Sequence, residues 1–233
     1  MEFADRTVIV TGAAGNLGRA VAAAFADRGA SLVLVDLKEE ALARAYRSGD
    51  KILFAPANLL DAAQAEAAAQ RAVERFGRID VLANLAGGFR MGEPVHATSA
   101  STLDFLLDLN VRTMLAMSHA VVPRMLAAGG GKVINVGAFS AQKGAALMGA
   151  YVAAKGAVIR LTEAMAAELR EQGINVNCVL PTVIDTPENR AAMPDADPSR
   201  WVAPADLASV IVFLASDGAR AIHGAAVPVT GLS

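Results

Sequence analysis

In Tyr151-Val152-Ala153-Ala154-Lys155 a phenol and an amine stand one helical turn apart, on the same face of any helix that carries them. Such a pair is a proton donor beside an ammonium that can tune it. A unit charge at about 4 Å and an effective dielectric of about 20 is worth about 4 kcal/mol, or about three pKa units. An ammonium so placed would bring a phenol down from near 10 toward neutrality, where a general acid works best. A second stretch, Thr11-Gly12-Ala13-Ala14-Gly15-Asn16-Leu17-Gly18, follows the apolar run Val8-Ile9-Val10. In a strand-to-helix turn Gly12 allows the bend, Gly15 lets backbone approach a pyrophosphate, and Gly18 permits close packing of helix on strand. The helix N-terminus then attracts the phosphates. Asp36 ends the next apolar run, about 20 residues further on, where a carboxylate meets the adenosine ribose hydroxyls. Its charge would repel a 2′-phosphate, so NAD(H) is expected in preference to NADP(H), with Lys38 close enough to keep some NADP(H) binding. Asp36 also precedes Leu37-Lys38-Glu39-Glu40, where it could cap a helix.

These groups need a scaffold, and the hydrophobic pattern supplies one. Strand-like runs near Thr7 to Thr11, Ser31 to Asp36, Ile52 to Ala55, Val81 to Asn84, Lys132 to Val136, Asn175 to Leu180 and Ala226 to Val229 alternate with helical patterns beginning near Asn16, Lys38, Asp61, Ser101, Ala150 and Ala203. The alternation predicts an α/β fold: a single Rossmann-type doubly wound domain over residues 1–233, with a seven-stranded parallel sheet flanked by helices on both faces. The first helix buries Leu17, Ala20, Val21, Ala24 and Phe25, with Gly29 as its C-cap; the last buries Leu207, Val210, Ile211 and Leu214 behind Pro204. Residues 181–201 carry Pro181, Pro187, Pro194 and Pro198 among charged residues, a composition that suits a mobile lid over a site. Trp201 would either stack on a flat ring or anchor that lid. Met91, Met148 and Met193 lie in segments that would border the substrate space, with core filling as their default role.

Composition narrows the function classes. The chain is 54% hydrophobic, yet no stretch of about 18 apolar residues lacks a charge or a breaker, so a membrane span is not expected. Much of the excess is alanine, which suits close helix packing, including packing between subunits. A net charge of -2 with both signs scattered offers no basic stripe for nucleic acid. The single cysteine, Cys178, lies in an apolar run and reads as a small buried hydrophobe in a reducing compartment. The N-terminal residues include charges and no signal-peptide core, so a cytoplasmic protein is expected. His96, His119 and His223 have no metal-ligand spacing, and no metal site is assigned.

The glycine turn, Asn84-Leu85-Ala86-Gly87 after the fourth strand, Asn110, and Tyr151-x-x-x-Lys155 occur in the order and spacing of the short-chain dehydrogenase/reductase family, which the whole chain resembles. The resemblance implies an NAD(P)-dependent oxidoreductase acting on a small molecule. Tyr151 would be the proton donor in reduction, Lys155 would hold the nicotinamide ribose and lower the tyrosine pKa, and Asn110 would hold a water in the proton relay. Gly12, Gly15, Asn16, Leu17, Gly18, Asp36, Asn58, Asn84, Ala86, Gly87, Tyr151, Lys155, Pro181 and Val183 would bind the cofactor. Family members are commonly dimers or tetramers, which implies a homodimer or homotetramer here.

Three positions depart from the family pattern. Asn16 replaces a glycine, Asn58 stands where an aspartate is common near the adenine, and Ala138 replaces the serine thirteen residues before Tyr151 that hydrogen-bonds the substrate carbonyl. Loss of an oxyanion-type donor typically costs on the order of 10² to 10³ in rate. Either Ser140 or Gln142 replaces it, or the substrate is reactive enough to do without it. Ala86-Gly87-Gly88, the Gly149 to Val158 block and the Leu180 to Trp201 segment are similar to the dihydropteridine reductase branch, which keeps the Tyr and Lys and lacks the serine. That likeness implies hydride transfer to a reactive conjugated imine or quinonoid substrate. The alternatives are an ordinary carbonyl reductase or alcohol dehydrogenase using Ser140, and a nucleotide-binding scaffold of low activity.

Overall fold

The computed structural model describes residues 1–233. The strands are β1 (Thr7–Thr11), β2 (Ser31–Val35), β3 (Ile52–Phe54), β4 (Val81–Asn84), β5 (Gly131–Val136), β6 (Ile174–Pro181) and β7 (Ala226–Val229). They form one parallel sheet in the order β3-β2-β1-β4-β5-β6-β7. β1, β4 and β6 are buried along their whole length, the pattern required of parallel strands covered on both faces.

The helices are α1 (Asn16–Ala26), α2 (Glu39–Ala45), α3 (Ala62–Phe76), α4 (Ala100–Leu107), α5 (Thr113–Ala127), α6 (Gly149–Leu169), α7 (Pro187–Ala192) and α8 (Pro204–Ala215). On one face α1 and α8 bury Val21, Phe25, Leu207 and Ile211 in a core with Val8, Val10, Leu32 and Leu34. The other face packs Ala65, Ala68, Ala69 and Ala72 of α3 and Met117, Val121 and Met125 of α5 against Ile9, Val33 and Leu82. The alanine stripe of α3 is therefore spent inside the chain. Asp61 caps α3 by accepting from the amides of Ala63 and Gln64.

Two expectations need correction. Gly29 is not the C-cap of α1: the helix ends at Ala26, Asp27 stays right-handed, and Gly29 supplies a positive φ of 91° two residues later. Nor does Asp36 cap α2, whose N-cap is Lys38 in extended conformation with no side-chain bond. The patterns also did not anticipate a π-helical turn, Asp108–Arg112, between α4 and α5. Residues Ala100–Ala127 thus run as one rod, long and apolar enough by composition alone to cross a membrane, but with half of that window buried inside the protein as in a core helix.

The strand order reverses between β1 and β4, and the crevice at their carboxyl ends is where open α/β sheets place ligands. The glycine turn, the Asn84–Gly87 segment, the start of α6 and the segment after β6 all lie at that edge.

Candidate active site

The glycine turn is held from three sides. Gly12 has φ 61°, and a Cβ there would lie 3.0 Å from the Ala86 Cα, so the turn is pressed against the β4 exit. Thr11 Oγ1 fixes that contact by accepting from the amides of Leu85 (2.9 Å) and Ala86 (3.0 Å). Tyr46 donates its phenol proton to Ala13 O at 2.6 Å, and burial raises its pKa so that the proton stays in place. A Cβ at Gly18 would sit 2.3 Å from Gly12 O, so α1 can approach β1 only with glycine there. At Gly15 a Cβ would meet only Gly12 O, at 3.3 Å, and no side chain caps α1. The first-turn amides of α1 are thus left for an anion. Leu17 lies in that first turn and packs against the core of the α1 face.

Asp36 spans the turn rather than a helix: Oδ2 accepts from Ala14 N at 2.9 Å and Oδ1 from Leu37 N at 2.8 Å. A carboxylate has about four lone-pair sites, so two remain for ribose hydroxyls. Asn58 is drawn beside it by the bond from Ala57 N to Asp36 O at 2.9 Å, while its own Oδ1 accepts from Leu60 N. Asn16, the departure from glycine, does more than occupy the turn. Its Nδ2 donates to Glu188 Oε2 at 2.7 Å and its Oδ1 accepts from Arg19 at 2.8 Å.

Tyr151 and Lys155 lie in the first two turns of α6. Lys155 is buried, and its Nζ donates to Val136 O at 2.8 Å. Burial lowers its pKa to about 8. Burial likewise raises the Tyr151 phenol to about 12. This corrects the expectation of a phenol brought toward neutrality: each group is buried on its own account, burial disfavours the charged form of both, and the ammonium is turned to Val136 O. Tyr151 is therefore a fully protonated phenol at neutral pH.

Asn110 sits in the π-helical turn, buried. Its Nδ2 donates to Leu106 O (3.0 Å) and Gly88 O (3.1 Å), and its Oδ1 accepts from Gly88 N (3.1 Å). Both amide protons are committed to backbone, which leaves Oδ1 or the main-chain carbonyl for any water relay. A Cβ on Gly87 would lie 2.8 Å from Asn110 Oδ1 and 3.3 Å from Lys155 Nζ, so the bare backbone of Gly87 is what brings Asn110 and Lys155 to the β4 exit. Beneath it, Asn84 Nδ2 donates to Asn135 Oδ1, and Asn135 Nδ2 to Thr162 Oγ1, both at 2.9 Å. Asn84 Oδ1 is buried without a protein partner, a free acceptor at the carboxyl end of β4. Sequence reasoning missed Asn135 and Thr162, which carry no motif and are found only through the β4–β5 pairing of Asn84 with Asn135.

Ala138 is buried and brings no hydroxyl. Ser140 is half-buried in the 3-10 turn Phe139–Gln142 that follows. Gln142 turns back to Phe139 O at 3.3 Å and borders a separate cleft of about 510 Å³ with Arg160, Leu180 and Ala226. Phe89, which no motif flagged, packs edge-on against Tyr151, with ring centroids 4.8 Å apart and planes at 84°.

The 181–201 segment leaves the sheet, pairs with the stretch before α8 and carries the short helix α7. Pro181 ends β6, and Val183 and Asp185 pair with Val202 through Val202 N to Val183 O (2.9 Å) and Asp185 N to Val202 O (2.8 Å). Thr186 caps α7, and Arg190 holds Asp185 through two bonds of 2.6 and 2.8 Å. Cys178 lies behind the site in β6, where burial pushes its thiol up to about 11. The uncapped α1, the carboxylate at Asp36 and the orphaned Asn84 oxygen together fit a dinucleotide.

A family profile described as short chain dehydrogenase matches residues 6–197. A D-threitol dehydrogenase of Mycolicibacterium smegmatis is 36% identical over 97% of this chain and 92% of its own length. A levodione reductase of Leifsonia aquatica is 32% identical over 98% of this chain and 94% of its own. The crystal structure of carveol dehydrogenase from Mycobacterium avium in complex with NAD superposes with a TM-score of 0.90 at 27% identity, covering 99% of this chain and 98% of that one.

Proposed function

This chain belongs to the short-chain dehydrogenase/reductase family of oxidoreductases, and we propose that it is an NADH-dependent reductase of a conjugated, electron-poor acceptor, a quinonoid imine of the dihydropteridine kind or an enone. The observation that carries this reading is the pairing of a protonated Tyr151 with a buried Ala138: the site can give a proton but offers no hydroxyl where the family's serine would polarise a carbonyl. An acceptor whose reduction is already favourable needs the first and not the second.

The nicotinamide, when bound, supplies the hydride. The first turn of α1 would take the pyrophosphate, and Asp36 the adenosine ribose, which favours NAD(H) over NADP(H) through charge repulsion of a 2′-phosphate. Asn58, Asn84, Ala86, Gly87, Pro181 and Val183 would border the cofactor, and Lys155 would hold the nicotinamide ribose. Tyr151 Oη would pass its proton to the acceptor heteroatom, with Asn110 at the far end of the relay. The flap over residues 181–201 would close the site as a lid, latched by Asn16 and Glu188. A cytoplasmic homodimer or homotetramer completes the reading, in keeping with the buried, unpaired Cys178 and the family's habit.

The names of the relatives favour a second reading, interconversion of a secondary alcohol and its ketone with Ser140 donating to the oxygen. Rates of NADH oxidation with quinonoid dihydropterin, 2-cyclohexen-1-one and saturated ketones separate the two. We expect the activated acceptors to turn over fastest and Ser140→Ala to change their rates less than threefold. Turnover of saturated ketones alone, with a loss of about 10² or more in Ser140→Ala, would establish the second reading instead.

A further inference from the structure

Four large apolar side chains of the two loops flanking Tyr151 are exposed: Phe89 (56%), Met91 (50%), Leu147 (44%) and Phe139 (40%). Phe89 is the one the backbone is built to deliver. The chain leaves β4 through Gly87 and Gly88, and a Cβ on Gly88 would collide with Leu109 Cδ2 at 2.5 Å, so the strand exit is pressed onto the π-helical turn and throws the next side chain over Tyr151. The Phe89 ring then meets the Tyr151 ring edge-on at 4.8 Å, a favourable aromatic geometry that still leaves much of the phenyl surface uncovered.

The wall beside it is equally constrained. Leu147 holds a left-handed backbone, φ 61°, unusual for a branched residue, and Gly92 N bonds Leu147 O at 2.8 Å. Met91, Leu147, Met148 and Ala150 line one small cleft. The charged residues of that cleft already have partners: the Arg90 guanidinium lies 4.2 Å from the centre of the Phe105 ring, and Glu93 accepts from Thr102 Oγ1, in the same cleft, at 3.1 Å. The remaining Glu93 oxygen is buried without a partner, which disfavours an anion there. Lys155 is buried and turned to Val136 O.

We propose that Phe89 is the specificity-determining residue of this site, a platform against which an uncharged ring substrate lays its flat face, so that cyclic ketones and quinonoid rings are preferred to open-chain or anionic acceptors. The proposal rests on the reading of Tyr151 as the group that faces the substrate. A phenyl ring that only filled the fold would be covered; this one is paired with the proton donor and open to solvent.

Two acceptors of equal carbon number, 2-cyclohexen-1-one and 3-hexen-2-one, test it in wild type, Phe89→Ala, Phe89→Leu and Phe89→Trp. Phe89→Ala is expected to lower the ring-to-open-chain ratio of kcat/KM about tenfold, through KM rather than kcat; Phe89→Leu should fall between, and Phe89→Trp should keep the preference. Calorimetric titration of the same ketones into the NAD⁺-loaded protein, where no hydride can move, should show the same change in the ratio of Kd values. Equal weakening of both ketones, or no change in either ratio, overturns the proposal. If Tyr151→Phe leaves NADH oxidation intact, the proton-donor reading fails on its own, and the calorimetric ratio still decides the role of Phe89.

Discussion

The side-chain amide of Asn16, in the glycine turn, donates to the carboxylate of Glu188, in the second position of α7, at 2.7 Å. The residue that departs from the family's glycine is the one that bonds the segment after β6. Glu188 is exposed and Asn16 half-buried, so the bond is weak in isolation, but it ties two segments that would enclose a cofactor.

Asn16→Gly and Glu188→Ala are each expected to speed NADH release a few-fold, with the double variant no faster than the faster single one. Stopped-flow displacement of NADH, followed by its fluorescence, measures this. Additive effects would mean that the two residues act independently and that no latch exists.

Tyr151→Phe removes the proton and keeps the ring. The rate of reduction should fall by about 10² to 10⁴, while NADH affinity and the edge-on contact with Phe89 are retained. Single-turnover oxidation of bound NADH by an activated acceptor is the direct measurement, and a rate within a factor of three of wild type would remove Tyr151 from the mechanism.

Lys155 links the site to pH. Its pKa in the folded chain is about 8, below the 10.5 of a free lysine, so the unfolded chain binds the more protons between these values. The cost of burying this amine is therefore full below pH 8 and fades as pH rises toward 10.5. The melting temperature of wild type relative to Lys155→Met should shift in favour of wild type between pH 7 and pH 10, by about 2–4 °C for each kcal/mol relieved. A difference that stays constant with pH would show that Lys155 titrates normally.

On the proposed reading, Asp36 would set the cofactor choice. Asp36→Asn removes the charge that would oppose a 2′-phosphate but keeps an acceptor for Ala14 N, so the ratio of NADH to NADPH affinity should drop about tenfold or more. Fluorescence titrations with both nucleotides read that ratio directly. Tighter binding of NADPH than NADH by the wild type would reverse the assignment.

The sheet and most of its helices were legible because burial on both faces writes parallel strands as unbroken apolar runs, and amphipathic helices repeat between them. Strand limits agreed to within a residue or so, as from Ser31–Asp36 against Ser31–Val35. The glycine turn, Asp36, Tyr151 and Lys155 stood out as candidates because backbone approach, ribose recognition and proton donation would each demand a particular residue type at a particular spacing. What spacing cannot encode is which way a buried side chain turns and how much water it keeps. Only the tertiary structure set Lys155 against Val136 O and raised the Tyr151 pKa, committed the Asn110 amide to Gly88 and Leu106, and moved Asp36 from a helix cap to the glycine turn. The same holds for the contacts of Phe89 with Tyr151 and of Asn16 with Glu188, which join segments far apart in the chain. Such contacts depend on how strands, turns and loops are brought together in space, and no local pattern of residues records that.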